Sequence, residues 1–349
     1  MLLLDNVPLA PMTTLGVGGR ADYFCAAQND EDIREAAIFA RERDLPIFVM
    51  GGGSNLVVSD AGFAGLVLKI ALRGITERSR GSEQVSFTVG AGEEWDAFVA
   101  HTVQSRYAGL ECLSGIPGTV GGTPIQNVGA YGQEVSETIT EVQALHLGSL
   151  EAVTFSNADC RFSYRGSRFN FAADHGGYVI TSVSFGLEHS GKATVRYAEL
   201  EQHFAGNPEP TLSETREAVL ALRRRKAMLL MSGQEDYRSV GSFFKNPVIS
   251  EEQCSELSDR LAARGSQLPS YPAGEGYRKI PAAWLVERAG FHKGFTKGAA
   301  GISRHHALAI VNRGGATAAE IVALKDEIQA KVRGEFGIEL QPEPVFVGL

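Results

Sequence analysis

Three short segments place polar side chains in apolar or constrained settings where they could do chemistry. The first is Tyr164-Arg165 within RFSYRGSRF. The planar guanidinium of Arg165, beside a glycine turn, could hold a carboxylate or phosphate by two parallel bonds. An arginine in such a loop is more often part of a surface salt bridge. The second is Ser242 in GSFFKNP, either a proton donor or a plain turn residue. No nucleophile elbow surrounds it, so a hydrolase reading is poor. The third is Glu343, held between Pro342 and Pro344 just before an apolar stretch, where a glutamate usually faces solvent. His305 and His306 are adjacent, and neighbouring residues on a strand point to opposite faces. No HExxH or carboxylate pair completes a ligand set, so no metal site is expected.

Two glycine-rich stretches must position these groups and their ligand. The longer is GIPGTVGGTPIQNVGAYG, Gly115 to Gly132, in which six of eighteen residues are glycine. It lacks the serines and charges of a flexible linker. Glycines let backbone approach a partner closely, and Pro117 and Pro124 fix its path. Such a ribbon suggests backbone laid against a large flat ligand or its phosphates, with a tight run of core turns as the alternative. Upstream, the apolar strand Ile47–Met50 runs directly into Gly51-Gly52-Gly53-Ser54-Asn55. Strand, glycine turn and free N–H groups make an anion cradle, and the missing Lys-Ser/Thr sequel excludes a P-loop.

The remaining pattern is that of a globular chain of two or three domains. Its 349 residues exceed one ordinary core, and 44% apolar with 21% charged residues is an ordinary globular balance. A net charge of -8, with Arg223-Arg224-Arg225-Lys226 the only basic run, argues against nucleic acid as a partner. Cys25, Cys112, Cys160 and Cys254 form no CxxC or zinc pattern and read as reduced cysteines of a cytosolic protein. The start, MLLLDNVPLAP, has no basic segment or sufficient apolar core for a signal peptide, and no run reaches membrane-spanning length.

Helices are expected from Asn29 or Asp30 to about Arg43, from Trp95 through Val103, from Thr211 into the basic run, from Ser250, after Pro281, and from Thr317 to just before Gly334. Strands are expected at 21–26, 47–50, 56–58, 66–70, 85–89, 138–147, 177–185 and 345–347. Residues 74–80 read as a polar break, 187–210 as the end of a domain, and 234–239 as a loop.

PLAPMTTLGVGGRADYF, GGGSNLVVSD, GAGEEWDAFV, SGIPGTVGGTPIQNVGAYGQE, CRFSYRGSRF, GSFFKNP and the terminal PEPVFVG together resemble the UDP-N-acetylenolpyruvoylglucosamine reductases, in family order and over almost the whole chain. Tyr197-Ala-Glu-Leu resembles the loop tyrosine of the type I branch, whose loop closes over a sugar nucleotide. The resemblance implies an α+β fold: a two-part FAD-binding region of the vanillyl-alcohol oxidase (PCMH) type and a C-terminal α+β substrate-binding domain. The corresponding divisions are residues 1–72, 73–210 and 211–344, with strand 345–349 returning to the first. It implies non-covalent FAD, NADPH as co-substrate, and reduction of an enolpyruvyl UDP-sugar in bacterial peptidoglycan synthesis by a cytoplasmic monomer.

Residue by residue, Arg165, Ser242 and Glu343 match the catalytic positions. Arg165 and Glu343 would attend the substrate carboxylate, and Ser242 would protonate C2. Tyr164, Tyr197, Lys226, Asn246 and His306 match substrate-contacting positions, with Lys226 near the pyrophosphate. Gly51, Gly52, Gly53, Ser54 and Asn55, with Ile116, Gly118, Gly122, Ile125, Gly129 and Tyr131, would cradle FAD. The sequence departs from the pattern at His306, where some members carry glutamine, and at Pro344, where valine is usual and a backbone donor is lost. A related flavin oxidase acting on alcohols would keep the FAD segments but not GSFFKNP together with Glu343. A non-catalytic nucleotide-binding module need keep none of Arg165, Ser242 and Glu343.

Overall fold

The structure is a computed structural model that describes residues 1–80, 84–171, 176–231, 233 and 236–349. The expectation for residues 234–239 lies partly outside these. The chain opens with strand β1 (Leu3–Pro8), antiparallel to β2 (Arg20–Ala27). Helix α1 (Asp30–Glu42) follows, and the Asn29 side chain accepts from the Asp32 N–H at 2.9 Å. Asp30, Glu31 and Asp32 in its first turn favour the positive end of the helix dipole. Its Ile33, Ala36, Ala37 and Ala40 are buried, and the helix packs on β2 and on β5 (Phe63–Ile70). Between them lie β3 (Ile47–Met50) and β4 (Leu56–Val58). The first sheet runs β1-β2-β5-β3, with β2, β5 and β3 parallel. Strand β1 is not among the strands the sequence pattern indicates.

A second sheet begins with β6 (Ile75–Arg80) and β7 (Gln84–Gly90), which pair antiparallel. Residues 75–80 are therefore a strand and not the expected break. An edge strand is held by backbone bonds to one neighbour, so exposed polar side chains are tolerated there. Helix α2 (Trp95–Gln104) buries Trp95, Phe98, Val99, Thr102 and Val103, the face its periodicity predicts. Each large apolar side chain so buried contributes about 1.5–3 kcal/mol. The Trp95 indole N–H donates to the Leu113 carbonyl at 3.0 Å, making it a satisfied core residue. The short β8 (Tyr107–Ala108) precedes the glycine ribbon, whose end forms a hairpin of β9 (Gly129–Ala130) and β10 (Gln133–Glu134). Then come β11 (Ile139–His146), β12 (Ala152–Ser156) and β13 (Tyr178–His189). The order is β12-β11-β13-β7-β6, with β8 also pairing with β13. One continuous core joins both sheets, from Ile33 and Leu66 to Phe87, Phe98 and Phe185.

Helix α3 (Ala198–His203) lies in the stretch read only as a domain end, and it buries Leu200. The capping box Thr211/Glu214 starts α4 (Leu212–Arg225), which packs Ala218, Val219 and Leu222 against Cys112, Tyr131 and Leu200. The last third is built of short pieces: β14 (Val248–Ser250), α5 (Glu251–Ala262), β15 (Tyr271–Pro272), β16 (Tyr277–Lys279) and α6 (Ala282–Arg288). Next are β17 (Thr296–Lys297), β18 (Ala300–Ile302), β19 (Ile310–Asn312) and α7 (Ala318–Phe336).

Helix α7 does not stop before Gly334. Buried Val332 and Phe336 continue its apolar stripe, and Gly337, at φ +73°, ends it in the left-handed conformation. Asp60 carboxylate oxygens accept from the Ala318 and Ala319 N–H groups at 2.7 and 2.9 Å, fastening the start of α7 to the N-terminal third. The final strand β20 (Val345–Val347) returns to lie parallel to β4. All four cysteines are buried and free. Among the described residues no helix is long and apolar enough to cross a membrane.

Candidate active site

A cavity of about 840 Å³ lies where the three regions meet, within the usual range for a small-molecule site. Its long wall is backbone. Strand β3 delivers the glycine loop, and Gly53 sits at φ +69° with its Cα so close to the leading segment that an added Cβ would stand 2.0 Å from the Met12 carbonyl oxygen. A Cβ on Gly52 would stand 2.6 Å from Gly118 Cα. The two glycine-rich stretches therefore touch through backbone, and only glycine permits it. Ser54 Oγ donates to the Pro117 carbonyl at 3.1 Å and ties them together. All eleven residues expected to cradle FAD line this cavity. At Gly122 a Cβ would meet nothing within 4 Å, leaving open space on the cavity wall. An extended, glycine-lined, largely apolar trough fits a dinucleotide of the FAD type.

Another part of the lining is made of side chains. Arg165 occupies a turn closed by the Ser163 N–H donating to the Gly166 carbonyl at 2.9 Å, with φ +54°. Its Nη2 donates to the Gly129 carbonyl at 2.7 Å, and its Nε lies 3.1 Å from Glu343 Oε1. The arginine is thus in a salt bridge, but one on the cavity wall and about one-fifth exposed. Burial pushes the Glu343 carboxyl above its ordinary value, while the nearby Arg165 and Lys245 charges oppose the shift. The Glu343 carbonyl, directly before Pro344, accepts from Asn55 Nδ2 at 3.1 Å and Gln126 Nε2 at 3.0 Å. Its own N–H donates to the Phe243 carbonyl at 2.9 Å, so the donor lost at Pro344 leaves Glu343 well anchored.

The same pairing sets the position of Ser242. Phe243 N–H donates to the Leu308 carbonyl at 2.8 Å, and Phe243 and Phe244 are buried in the C-terminal core. Ser242 Oγ then lies 3.3 Å from His306 Nε2. Desolvation, reinforced by the Lys226 and Lys293 charges and opposed by Glu199, pulls His306 down to about 4, so the imidazole is neutral at ordinary pH.

Tyr197 and Lys226 also line the cavity. The Tyr197 ring packs edge-on against Tyr131 at 5.3 Å, and Lys226 Nζ lies 5.7 and 5.9 Å from the centroids of Tyr131 and Tyr197. Lys226 is paired with Glu199 of α3, a partner the sequence did not indicate. Tyr164 and Asn246 do not line this cavity. The Tyr164 ring lies under Lys279 Nζ at 4.1 Å, and Asn246 Oδ1 accepts the Ala282 N–H at 2.9 Å, capping α6.

Three contributors escaped the sequence reading. Gln126 was hidden in the ribbon and Lys245 in GSFFKNP. Arg223, 6% exposed, lines the cavity and donates to the Gly115 and Met228 carbonyls at 3.1 and 2.9 Å. A signal existed for it: Arg223 follows buried Val219 by one helical repeat, which puts it on the inner face of α4.

Comparison with known proteins bears on this arrangement. Residues 233–347 match the model of the UDP-N-acetylenolpyruvoylglucosamine reductase C-terminal domain, and residues 21–154 match that of an FAD binding domain. A UDP-N-acetylenolpyruvoylglucosamine reductase of Streptomyces avermitilis is 46% identical over 99% of this chain and 95% of its own length. The chain belongs to this reductase family. A relative of the same name from Thermobifida fusca is also 46% identical, over 99% of this chain and 98% of its own. The crystal structure of the UDP-N-acetylenolpyruvylglucosamine reductase from Thermus caldophilus superposes with a TM-score of 0.68 at 25% identity, covering 99% of this chain and all of that one. The family makes the chain an oxidoreductase with FAD as its cofactor, on an α+β fold. The FAD-domain match runs from β2 into β12 and so takes in strands of both N-terminal sheets.

Proposed function

We propose that this protein reduces the enolpyruvyl group of UDP-N-acetylglucosamine enolpyruvate to give UDP-N-acetylmuramate, a peptidoglycan precursor, with NADPH as the electron source. The observation that carries this reading is the convergence of Arg165, Glu343 and Ser242 at one end of a glycine-lined trough. The substrate joins an enol ether to a carboxylate, and both need attention at once. The chemistry FAD supplies when bound is hydride transfer, taken from NADPH and passed to the methylene carbon C3.

Negative charge then grows at C2 and spreads into the carboxylate. Arg165 is already aimed at that charge, which costs no reorganisation when it forms. Glu343 helps when it carries its proton, and its burial favours that form. Ser242 gives its proton to C2; the hydroxyl is a weak acid, but the enolate carbon is basic enough if the geometry is held. Lys226 and Tyr197 hold the diphosphate end, with Lys226 exchanging Glu199 for the ligand. Tyr164 and Asn246 meet the substrate from the rim, and His306 stands beside Ser242. In this reading residues 1–72 and 73–210 hold FAD, residues 211–344 hold the sugar nucleotide, and the enzyme works as a cytoplasmic monomer.

Anaerobic stopped-flow absorbance tests the reading. The purified flavoprotein is reduced with NADPH and mixed with the enolpyruvyl sugar. Rapid oxygen-free reoxidation of the flavin is expected. Flavin that stays reduced would move the activity to another flavoprotein reaction.

A further inference from the structure

We infer that His306 is a positioning residue for Ser242: its Nε2–H donates to Ser242 Oγ, turning the serine hydrogen away from the imidazole and towards the cavity. This rests on the proposed role of Ser242 as proton donor.

The direction of the bond follows from the other ring nitrogen. Leu308 N–H donates to His306 Nδ1 at 3.2 Å, so Nδ1 carries no proton. A neutral imidazole has one proton, which is then on Nε2. Nε2 lies 3.3 Å from Ser242 Oγ. The reverse polarity would place a proton on Nδ1, facing the Leu308 N–H. Ser242 therefore accepts, and its own hydrogen is free for an acceptor in the cavity that it lines. Desolvation by burial keeps the imidazole neutral, and Lys226 at the end of α4 and Lys293 ahead of β17 add to it and outweigh Glu199 on α3.

The donor has a second consequence. When Ser242 gives up its proton, the O–H bond breaks and its electron pair stays on Oγ. The new C–H bond at C2 uses the pair left there by hydride addition. The Oγ alkoxide is then held by Nε2–H until solvent returns a proton. The resting contact is long, and such contacts tighten as charge develops. A fixed donor at a developing oxyanion is commonly worth ~10²-fold in rate.

His306→Ala is expected to slow substrate-driven flavin reoxidation by ~100-fold, with KM for the enolpyruvyl sugar within about twofold. His306→Gln, whose amide N–H can replace Nε2–H, is expected to recover most of the rate. In a Ser242→Ala background, removing His306 should cost nothing further. A wild-type rate in His306→Ala overturns the inference. So does a loss confined to KM, which would make His306 a plain substrate contact, or an undiminished cost in the Ser242→Ala background.

An independent readout is the ¹⁵N spectrum of histidine-labelled enzyme without substrate. It should show His306 with Nδ1 unprotonated and Nε2 protonated, and a titration pulled down from 6.5 to about 4. An Nδ1–H tautomer sinks the inference whatever the activity. Absence of reoxidation in the wild-type enzyme would instead fail the proposed function and leave the tautomer to decide this point.

Discussion

The two ends of the cavity are built in opposite ways. The glycine-lined part, where we propose that FAD lies, is backbone: Gly52 against Gly118, Gly53 against Met12, with Ser54 bonded to Pro117. Its parts come from two compact runs of sequence, and at Gly52 and Gly53 glycine is required by the approach of another chain segment. The reactive end is side chains. Arg165, Ser242, His306 and Glu343 come from distant stretches; backbone bonds from Phe243 to Leu308 and Glu343 draw the last three together, and Arg165 reaches Glu343 from its own turn. Recognition by backbone tolerates little substitution but is compact in sequence. Reactivity by side chains needs few residues, but each depends on the whole fold for its position. The comparison predicts that the two ends fail differently.

The largest separation is expected from Ser242→Ala. Flavin reoxidation by the enolpyruvyl sugar should fall by ~10²–10⁴-fold, the usual scale of a lost general acid, while the flavin absorbance of the purified protein and its reduction by NADPH persist. Loss of bound FAD in this variant would show that the ends are not separable.

Gly53→Val is the converse. The new side chain collides with the Met12 carbonyl and is strained at φ +69°, so the protein should lose more than about 1 kcal/mol of stability and purify with little flavin. Unchanged flavin content and Tm would break the cradle half of the comparison.

Arg165→Lys keeps the charge but not the fork that spans Gly129 and Glu343. Turnover should fall by about tenfold, with flavin content unchanged.

The remaining effects are spread over pH. His306 is lowered from 6.5 to about 4, so below pH 6.5 the unfolded chain binds a proton that the folded one does not. Stability should fall as pH drops from 6.5 towards 4, by at most about 3 kcal/mol from this group, and denaturant titrations of His306→Gln should show a flatter acid limb. Glu343 is raised, so it acts in the other direction. Stability from this group is present below the ordinary carboxylate value of 4.5 and is lost as pH rises through the folded value. Glu343→Gln should therefore be at least as stable as wild type at neutral pH; a clear loss of stability would mean that the ion pair with Arg165 outweighs the desolvation.

Local signals in the chain were reliable where a side-chain pattern has a local cause. The helices opened by Asn29, Thr211, Ser250 and Thr317 start where their side chains cap free N–H groups, and α2 buries the face its spacing predicts. The signals failed where backbone pairing or distant packing decides. Strand β6 is polar yet paired, α7 passes Gly334 because Val332 and Phe336 are buried, and Leu200 makes a helix worth forming in a polar stretch. The glycine runs and the family pattern marked the residues that line the cavity. That Tyr164 and Asn246 stay off its wall and that Lys226 is held by Glu199 could not be read from the order of residues.

By itself, then, the sequence determined the family, the glycine-rich cradle and the identity of the polar groups, because backbone clearance and capping act over a few neighbouring residues. Tertiary structure alone decided which of those groups face one another, which way the bond between Ser242 and His306 runs, and which protons burial holds in place. Those outcomes depend on desolvation and on pairing between segments far apart in the chain.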